Sequence, residues 1–180
     1  MTWAHWPLLL LLALCLEGCA LLERHPLGRG LPGLDQQQPS LSGDGRYLAF
    51  IRGRGSSSSV ELLDLASGRR LPLPPLRRGQ PHGSPSLSWN GRYLGLLLQR
   101  WGRRRVAVLD RASGTLEILS LPRHGIAQQL SLAPDGRTLA VQMKRSGQWD
   151  VELFDLGSTV EPDAPGGLLR TAPPSVGGRS

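Results

Sequence analysis

The chain holds two cysteines, one lysine and two methionines in 180 residues, and no apolar run of the ~20 residues needed to span a bilayer. With only Cys15 and Cys19 as thiols, a disulfide-built fold is excluded, and no cysteine set has zinc spacing. Helical periodicity is missing beyond residue 20, which removes helix bundles and doubly wound α/β domains. No Gly-x-Ser-x-Gly elbow occurs, and the only histidines outside the front end are His25, His82 and His124. His82 and His124 fall in segments joining one repeat to the next, with no cysteine or carboxylate beside them at metal spacing. Trp89 and Trp101 read as packing or loop-surface residues. The chain is therefore expected to be no enzyme, with no metal and no cofactor. The shortage of lysine is not a shortage of positive charge: twenty of the 21 basic residues are arginine, and with 14 acidic residues the formal net charge is +7.

What the chain does have is internal repetition. Pro39-Ser40-Leu41-Ser42-Gly43-Asp44-Gly45-Arg46-Tyr47-Leu48 returns as Pro85-Ser86-Leu87-Ser88-Trp89-Asn90-Gly91-Arg92-Tyr93-Leu94. It returns again as Leu130-Ser131-Leu132-Ala133-Pro134-Asp135-Gly136-Arg137-Thr138-Leu139. Val60-Glu61-Leu62-Leu63-Asp64, Val106-Ala107-Val108-Leu109-Asp110 and Val151-Glu152-Leu153-Phe154-Asp155 follow at the same offsets. Whole units of roughly 45 residues are repeated, as in propeller blades and solenoids.

Each unit reads as four short strands. The first leads into Asp-Gly or Asn-Gly, a strong hairpin signal because glycine takes positive φ and the Asp or Asn side chain binds nearby amides. Asp44, Gly45, Asn90, Gly91, Asp135 and Gly136 are therefore expected to be structural turn residues. The second strand runs over Tyr47–Ile51, Tyr93–Leu98 and Thr138–Met143. It alternates Leu48 and Phe50, Leu94 and Leu96, Leu139 and Val141 on one face with Ala49, Gly95 and Ala140 on the other. A small residue at one fixed place predicts close approach of a neighbouring sheet. The third strand, apolar on both faces, ends at Asp64, Asp110 and Asp155. These recur once per unit and so lie too far apart to converge on one substrate, and they too are expected to be structural. A fourth strand follows a Ser-Gly turn. The fold class is all-β: three four-stranded antiparallel blades of a partial β-propeller, over 38–83, 84–128 and 129–157.

Ser42-Gly43-Asp44-Gly45-Arg46-Tyr47-Leu48-Ala49 and Val60-Glu61-Leu62-Leu63-Asp64-Leu65-Ala66-Ser67-Gly68, repeated in this way, resemble the TolB-like propeller repeat, a relative of the WD-type repeat. The resemblance covers about Gln38 to Leu156. It implies a blade architecture in a periplasmic protein that binds other proteins. Related blades also form the propellers that gate some serine peptidases. An accessory of such an enzyme, or a degenerate fragment of a larger propeller, is the alternative.

The front end has its own pattern. Leu8 to Leu16 is almost unbroken apolar sequence, and Leu16-Glu17-Gly18-Cys19 resembles the bacterial lipobox. That resemblance implies a signal peptide over 1–19 and a lipid on Cys19 of an exported, membrane-anchored periplasmic lipoprotein. Cleavage after Ala20 and an uncleaved anchor are the other outcomes. Residues 20–37, rich in Gly, Pro and Gln, read as a linker. Its Gly28-Arg29-Gly30-Leu31-Pro32-Gly33 matches a dinucleotide fingerprint in letters only, for Pro32 interrupts it and nothing helical follows. Residues 158–180 read as a disordered tail.

Two expectations concern partners. In a four-stranded meander the loops between strands two and three share an end with the links between blades. Sorted this way, that end carries Arg52, Arg54, Arg77, Arg78, Arg100, Arg103, Arg104, Arg105, Arg123, Lys144 and Arg145, with no acid in the same loops. Such a face attracts an acidic protein patch or an anionic lipid surface. Nucleic acid is not expected, since no aromatic interleaving is present. Three blades also leave two sheets bare where propellers close with 4 to 8. A homodimer completing a six-bladed ring, or association with another propeller protein in the cell envelope, is therefore expected over the remaining outcome, an open arc capped by the chain's own tails.

Overall fold

The computed structural model describes residues 35–76, 79–121, 125–157 and 160–163. Blade 1 comprises β1 (Gln36–Leu41), β2 (Tyr47–Arg52), β3 (Ser59–Asp64) and β4 (Arg69–Leu71). Blade 2 comprises β5 (His82–Leu87), β6 (Tyr93–Arg100), β7 (Arg103–Asp110) and β8 (Thr115–Ile118). Blade 3 comprises β9 (Ile126–Leu132), β10 (Thr138–Arg145) and β11 (Gln148–Asp155). Each is an antiparallel meander in chain order. The class is all-β with three blades, as the repeat predicts. Blade 3 has three strands among the described residues, and Leu168-Leu169, the hint of a fourth, lie outside them.

First strands begin earlier than the sequence pattern indicates, at Gln36, His82 and Ile126. The first two are interrupted by bulges between Gln37 and Ser40 and between Gly83 and Ser86. Gln38 and Ser84 sit there at positive φ, 54° and 47°, just before Pro39 and Pro85. A left-handed residue followed by proline reads as a loop, yet here it belongs to a bulge that turns its side chain toward the next blade.

Two apolar cores lie between the blades. Ala49, Ile51, Val60 and Leu62 of blade 1 meet Leu87, Leu94, Leu96, Leu98, Ala107 and Leu109 of blade 2. Leu97, Val106 and Val108 of blade 2 meet Ala127, Leu130, Leu139, Val141 and Met143 of blade 3. The small residues stand where close approach requires them. A Cβ on Gly95 would come within 3.2 Å of the Leu130 Cδ1 across the interface.

The same contacts recur from blade to blade. The Ser40 Oγ accepts the Leu87 N–H at 3.1 Å, and the Ser86 Oγ accepts the Leu132 N–H at 2.8 Å. From the bulges, the Gln38 Oε1 accepts the Ser84 N–H at 2.5 Å and the Ser84 Oγ accepts the Leu130 N–H at 2.8 Å. Each interface thus satisfies backbone donors of one first strand with side chains of the preceding one. Tyrosine completes the set, because the Tyr47 ring lies against Gly91 and the Tyr93 ring against Gly136.

Chain beyond β11 returns to blade 2. Val160 packs on the core between blades 2 and 3, the Glu161 N–H donates to the Tyr93 hydroxyl at 3.0 Å, and the Asp163 N–H donates to the Asp135 carbonyl at 2.9 Å. Asp163, buried at 3% exposure, accepts from the Ser88 hydroxyl and from the Asn90 N–H. Val160 to Asp163, expected to belong to a disordered tail, are instead a strap across two blades. Its contacts are long-range, so local composition carries no sign of it.

Candidate interaction surfaces

At the turn end, the recurring acids are fasteners within each blade. The Asp44 Oδ1 accepts the Arg46 N–H at 2.9 Å, the Asn90 Oδ1 accepts the Arg92 N–H at 2.8 Å, and the Asp135 Oδ1 accepts the Arg137 N–H at 3.0 Å. Gly45, Gly91 and Gly136 hold φ of 71°, 71° and 75° beside them. The Asp64 Oδ1 accepts the Ala66 N–H at 2.9 Å, Asp110 the Ala112 N–H at 2.9 Å and Asp155 the Gly157 N–H at 2.8 Å. Sequence reasoning missed the arginines that join the two sets: Arg46 pairs with Asp64 at 3.3 Å and Arg92 with Asp110 at 3.1 Å. Hydrogen bonds that Arg92 donates to Asp110, then to Glu161, hold its guanidinium above its ordinary range. Burial pulls the Asp110 carboxyl upward, but the Arg92 and Ala112 donors outweigh it and leave it below the usual carboxylate value.

At the opposite end the basic residues are placed differently from the loop assignment. Arg100, Arg103, Arg104, Arg105, Lys144 and Arg145 lie in strands, because β6 and β7 extend to a two-residue turn, Trp101-Gly102, and β10 and β11 to Ser146-Gly147. All four turn residues take positive φ, the geometry of a tight hairpin. Acids reach this end from neighbouring strands and from the entry to β1: Arg52 pairs with Glu61 at 3.1 Å, Arg145 with Glu152, and Arg54 with Asp35. Arg104 turns toward blade 3, where its Nη1 donates to the Gln128 Oε1 at 2.6 Å. Among the described residues no carboxylate stands within ion-pair distance of Arg100, Arg103, Arg104, Arg105 or Lys144. Arg77, Arg78 and Arg123, like Cys19, lie outside the described residues.

A groove of about 450 Å³ at this end is lined by polar groups of all three blades, including His82, Ser84, Gln99, Arg104 and Gln128, together with the apolar Ile51, Leu97 and Leu98. His82, only 8% exposed, accepts the Val60 N–H on Nδ1 at 3.1 Å, and burial lowers its pKa. It is a tie between blades, and among the described residues no three His, Cys, Asp or Glu side chains gather as a metal site.

The third surface is the far face of blade 3. Ile126, Trp149, Val151 and Leu153 are 55%, 54%, 68% and 72% exposed there. On the same face Ser131, Ala140, Val151 and Leu153 repeat Ser86, Gly95, Val106 and Val108, which bury themselves against blade 3. The positions of an interface are present, and among the described residues no further sheet lies against them.

No protein-family model and no curated protein matches the chain. Solved structures do. TolB from Acinetobacter baumannii is 19% identical with a TM-score of 0.57, over 72% of this chain and 32% of that one. A putative TolB from Agrobacterium tumefaciens is 16% identical with a TM-score of 0.57, over 72% of this chain and 48% of that one. The β-propeller domain of the Trilobed protease from Pyrococcus furiosus, described as having an open Velcro topology, is 14% identical with a TM-score of 0.54, over 71% and 40%. The chain therefore has a TolB-like β-propeller fold and spans a third to a half of the length of these structures. No described helix is long and apolar enough to cross a membrane.

Proposed function

We propose that the chain is a non-catalytic, protein-binding scaffold of the cell envelope, exported and anchored through a lipid on Cys19. The far face of blade 3 is the observation that supports this reading best. It carries the hydroxyl acceptor Ser131, the small Ala140 and the apolar Val151 and Leu153 of a blade interface, and leaves large apolar side chains in solvent. The partner that fits is another antiparallel sheet with a leucine-rich face, whose first strand offers backbone N–H groups to Ser131. A second copy of the chain would present Leu41, Leu48, Phe50 and Leu63 of blade 1 and build a six-bladed ring. Phe50 and Leu63 are already buried in the single chain, which favours a blade of another propeller protein. Likeness to the Trilobed protease propeller supports a second reading, an accessory of a peptidase, which requires that a peptidase co-purify.

Two measurements test the proposal. A photo-crosslinking residue replacing Leu153 in cells should capture a protein, or the chain itself, and Val151→Asp should abolish capture. Light scattering at micromolar concentration should give more than a monomer mass alone or with that partner. A monodisperse monomer whose Leu153 position captures no more protein than Ser113 at the turn end overturns it. Loss of lipid labelling on Cys19→Ser tests the anchor separately.

A further inference from the structure

Two exposed tryptophans project from the basic end, each with a cation beside it. Trp101 forms the β6–β7 turn with Gly102, is 82% exposed, and has the Arg100 guanidinium over its ring at 4.3 Å. Its φ of 50° is a conformation that large side chains rarely take, so the backbone is bent to hold the indole at the tip. Trp149, near the β10–β11 turn of the next blade, is 54% exposed, with the Lys144 Nζ at 5.6 Å from its ring. Arg103 and Arg105 stand nearby in β7, without a carboxylate partner among the described residues.

The chain enters its first blade at this same end. Gln36 pairs with Arg52, and the Asp35 carbonyl accepts the Gly53 N–H at 2.9 Å. A tether attached ahead of Asp35 therefore draws this end, rather than the acidic turn end, toward whatever holds the tether.

We infer that the basic end is a membrane-facing rim, with Trp101 and Trp149 seated at headgroup level in an anionic phospholipid surface and Arg100, Arg103, Arg105 and Lys144 against its phosphates. Indole rings favour the interface between water and lipid, and cations near an anionic leaflet are held there by its surface potential. A lipid surface fits better than an acidic protein because the two indoles stand on separate hairpins. The groove at this end is lined by more polar than apolar groups, with Ile51, Pro81, Leu97 and Leu98 among the latter. The inference rests on the anchored reading of the N-terminal segment and adds which end the anchor presents.

The test uses the full chain with vesicles of phosphatidylglycerol and phosphatidylethanolamine, or of phosphatidylcholine alone, carrying bromine on the acyl chains near the headgroups. Bromine quenches only indoles that reach the bilayer, so the parent is compared with Trp101→Phe and Trp149→Phe. Each substitution should remove a quenched component in the anionic vesicles, and that component should vanish in about 0.5 M salt, where the Debye length falls to a few Å. Arg100→Glu with Arg103→Glu should cut it at least several-fold with an unchanged melting curve. Ser113→Trp, at the turn end, should add emission that bromine leaves untouched. Sedimentation with vesicles but no quenching from Trp101 or Trp149 overturns the rim and leaves the anchor standing. No sedimentation with either vesicle overturns both, and equal quenching in neutral and anionic vesicles overturns the assignment to anionic lipid. Salt-sensitive binding to an acidic protein in place of vesicles also counts against it.

Discussion

The imidazole of His82 accepts the backbone N–H of Val60 at 3.1 Å, so a residue opening blade 2 closes a hydrogen bond left by the third strand of blade 1. Around it the His82 backbone N–H donates to the Ser58 carbonyl at 3.2 Å and the Ser58 hydroxyl donates to the His82 carbonyl at 3.1 Å. Accepting on Nδ1 fixes the ring proton on Nε2, and the neutral ring is what the interface requires.

Acid should therefore loosen the first interface. Burial lowers the folded pKa of His82 below its ordinary ~6.5, so in the window beneath that value the unfolded chain binds more protons than the folded one. Stability falls as pH drops below ~6.5, by at most about 1.4 kcal/mol per unit, and levels off under the folded pKa. Thermal melts from pH 7.5 to 5 should show this slope. His82→Gln, which keeps an acceptor without a titrating group, should flatten it. An equal slope in both proteins removes His82 as the cause. The Arg92–Asp110 pair acts in a separate window: with its carboxyl held below the ordinary value, its contribution is present above ~3.9 and lost as pH falls through the folded pKa.

Gly45 and Gly91 occupy equivalent turns but should respond differently to alanine. Both hold φ of 71°, which costs a non-glycine residue about 1–2 kcal/mol. At Gly45 a Cβ meets nothing within 4 Å, whereas at Gly91 it would lie 2.8 Å from the Tyr47 Cδ2. That ring is held by Arg46 and Arg111, 5.0 and 4.6 Å from its centre, and has little freedom to retreat. Gly45→Ala should cost the backbone penalty alone, and Gly91→Ala roughly 1–3 kcal/mol more through overpacking. Urea denaturation checks both, and equal losses would remove Tyr47 from the interface.

These glycines show why the repeat was legible. Asp-Gly or Asn-Gly followed by Leu48, Leu94 or Leu139 marks a hairpin and a buried face in a few residues, three times over. Ala49 and Gly95 announced close sheets because small size is itself the signal. The tips were not legible: Trp101-Gly102 and Ser146-Gly147 are turns of two residues flanked by cations, and runs such as Arg103 to Arg105 read as loop by charge. Strand pairing extends through them because Arg100 to Arg105 continue the β6–β7 ladder into solvent, where cations remain hydrated. Nor could sequence show Glu61 and Glu152 reaching Arg52 and Arg145, since those acids sit in third strands counted with the interior.

The strap should hold blade 3 to blade 2. Asp163→Ala removes the acceptor of the Ser88 hydroxyl and the Asn90 N–H at a site only 3% exposed, and unsatisfied buried donors cost about 1–3 kcal/mol. Hydrogen exchange should accelerate in β9 to β11 and at Trp89, whose N–H donates to the Pro134 carbonyl at 2.7 Å, more than in β1 to β3. Uniform acceleration along the chain would mean that the strap stabilises no particular junction.

Gly95 and Ala140 provide a matched pair that separates a closed interface from an open one. They hold the same place in β6 and β10, opposite Val108 and Leu153. A valine at Gly95 would set its Cβ 3.2 Å from the Leu130 Cδ1 and 3.5 Å from the Leu139 Cδ1, with two more methyl groups to place. Gly95→Val should then cost about 1–3 kcal/mol in the isolated chain, since the facing leucines are fixed by their own packing. Ala140→Val faces Val151 and Leu153 on the exposed sheet and should shift stability by less than about 0.5 kcal/mol. Once a partner sheet docks, the same substitution becomes the clash that Gly95→Val is internally, and association should weaken tenfold or more. Ala140→Val that destabilises the monomer would show the face to be already covered, and one that leaves association intact would place the partner elsewhere.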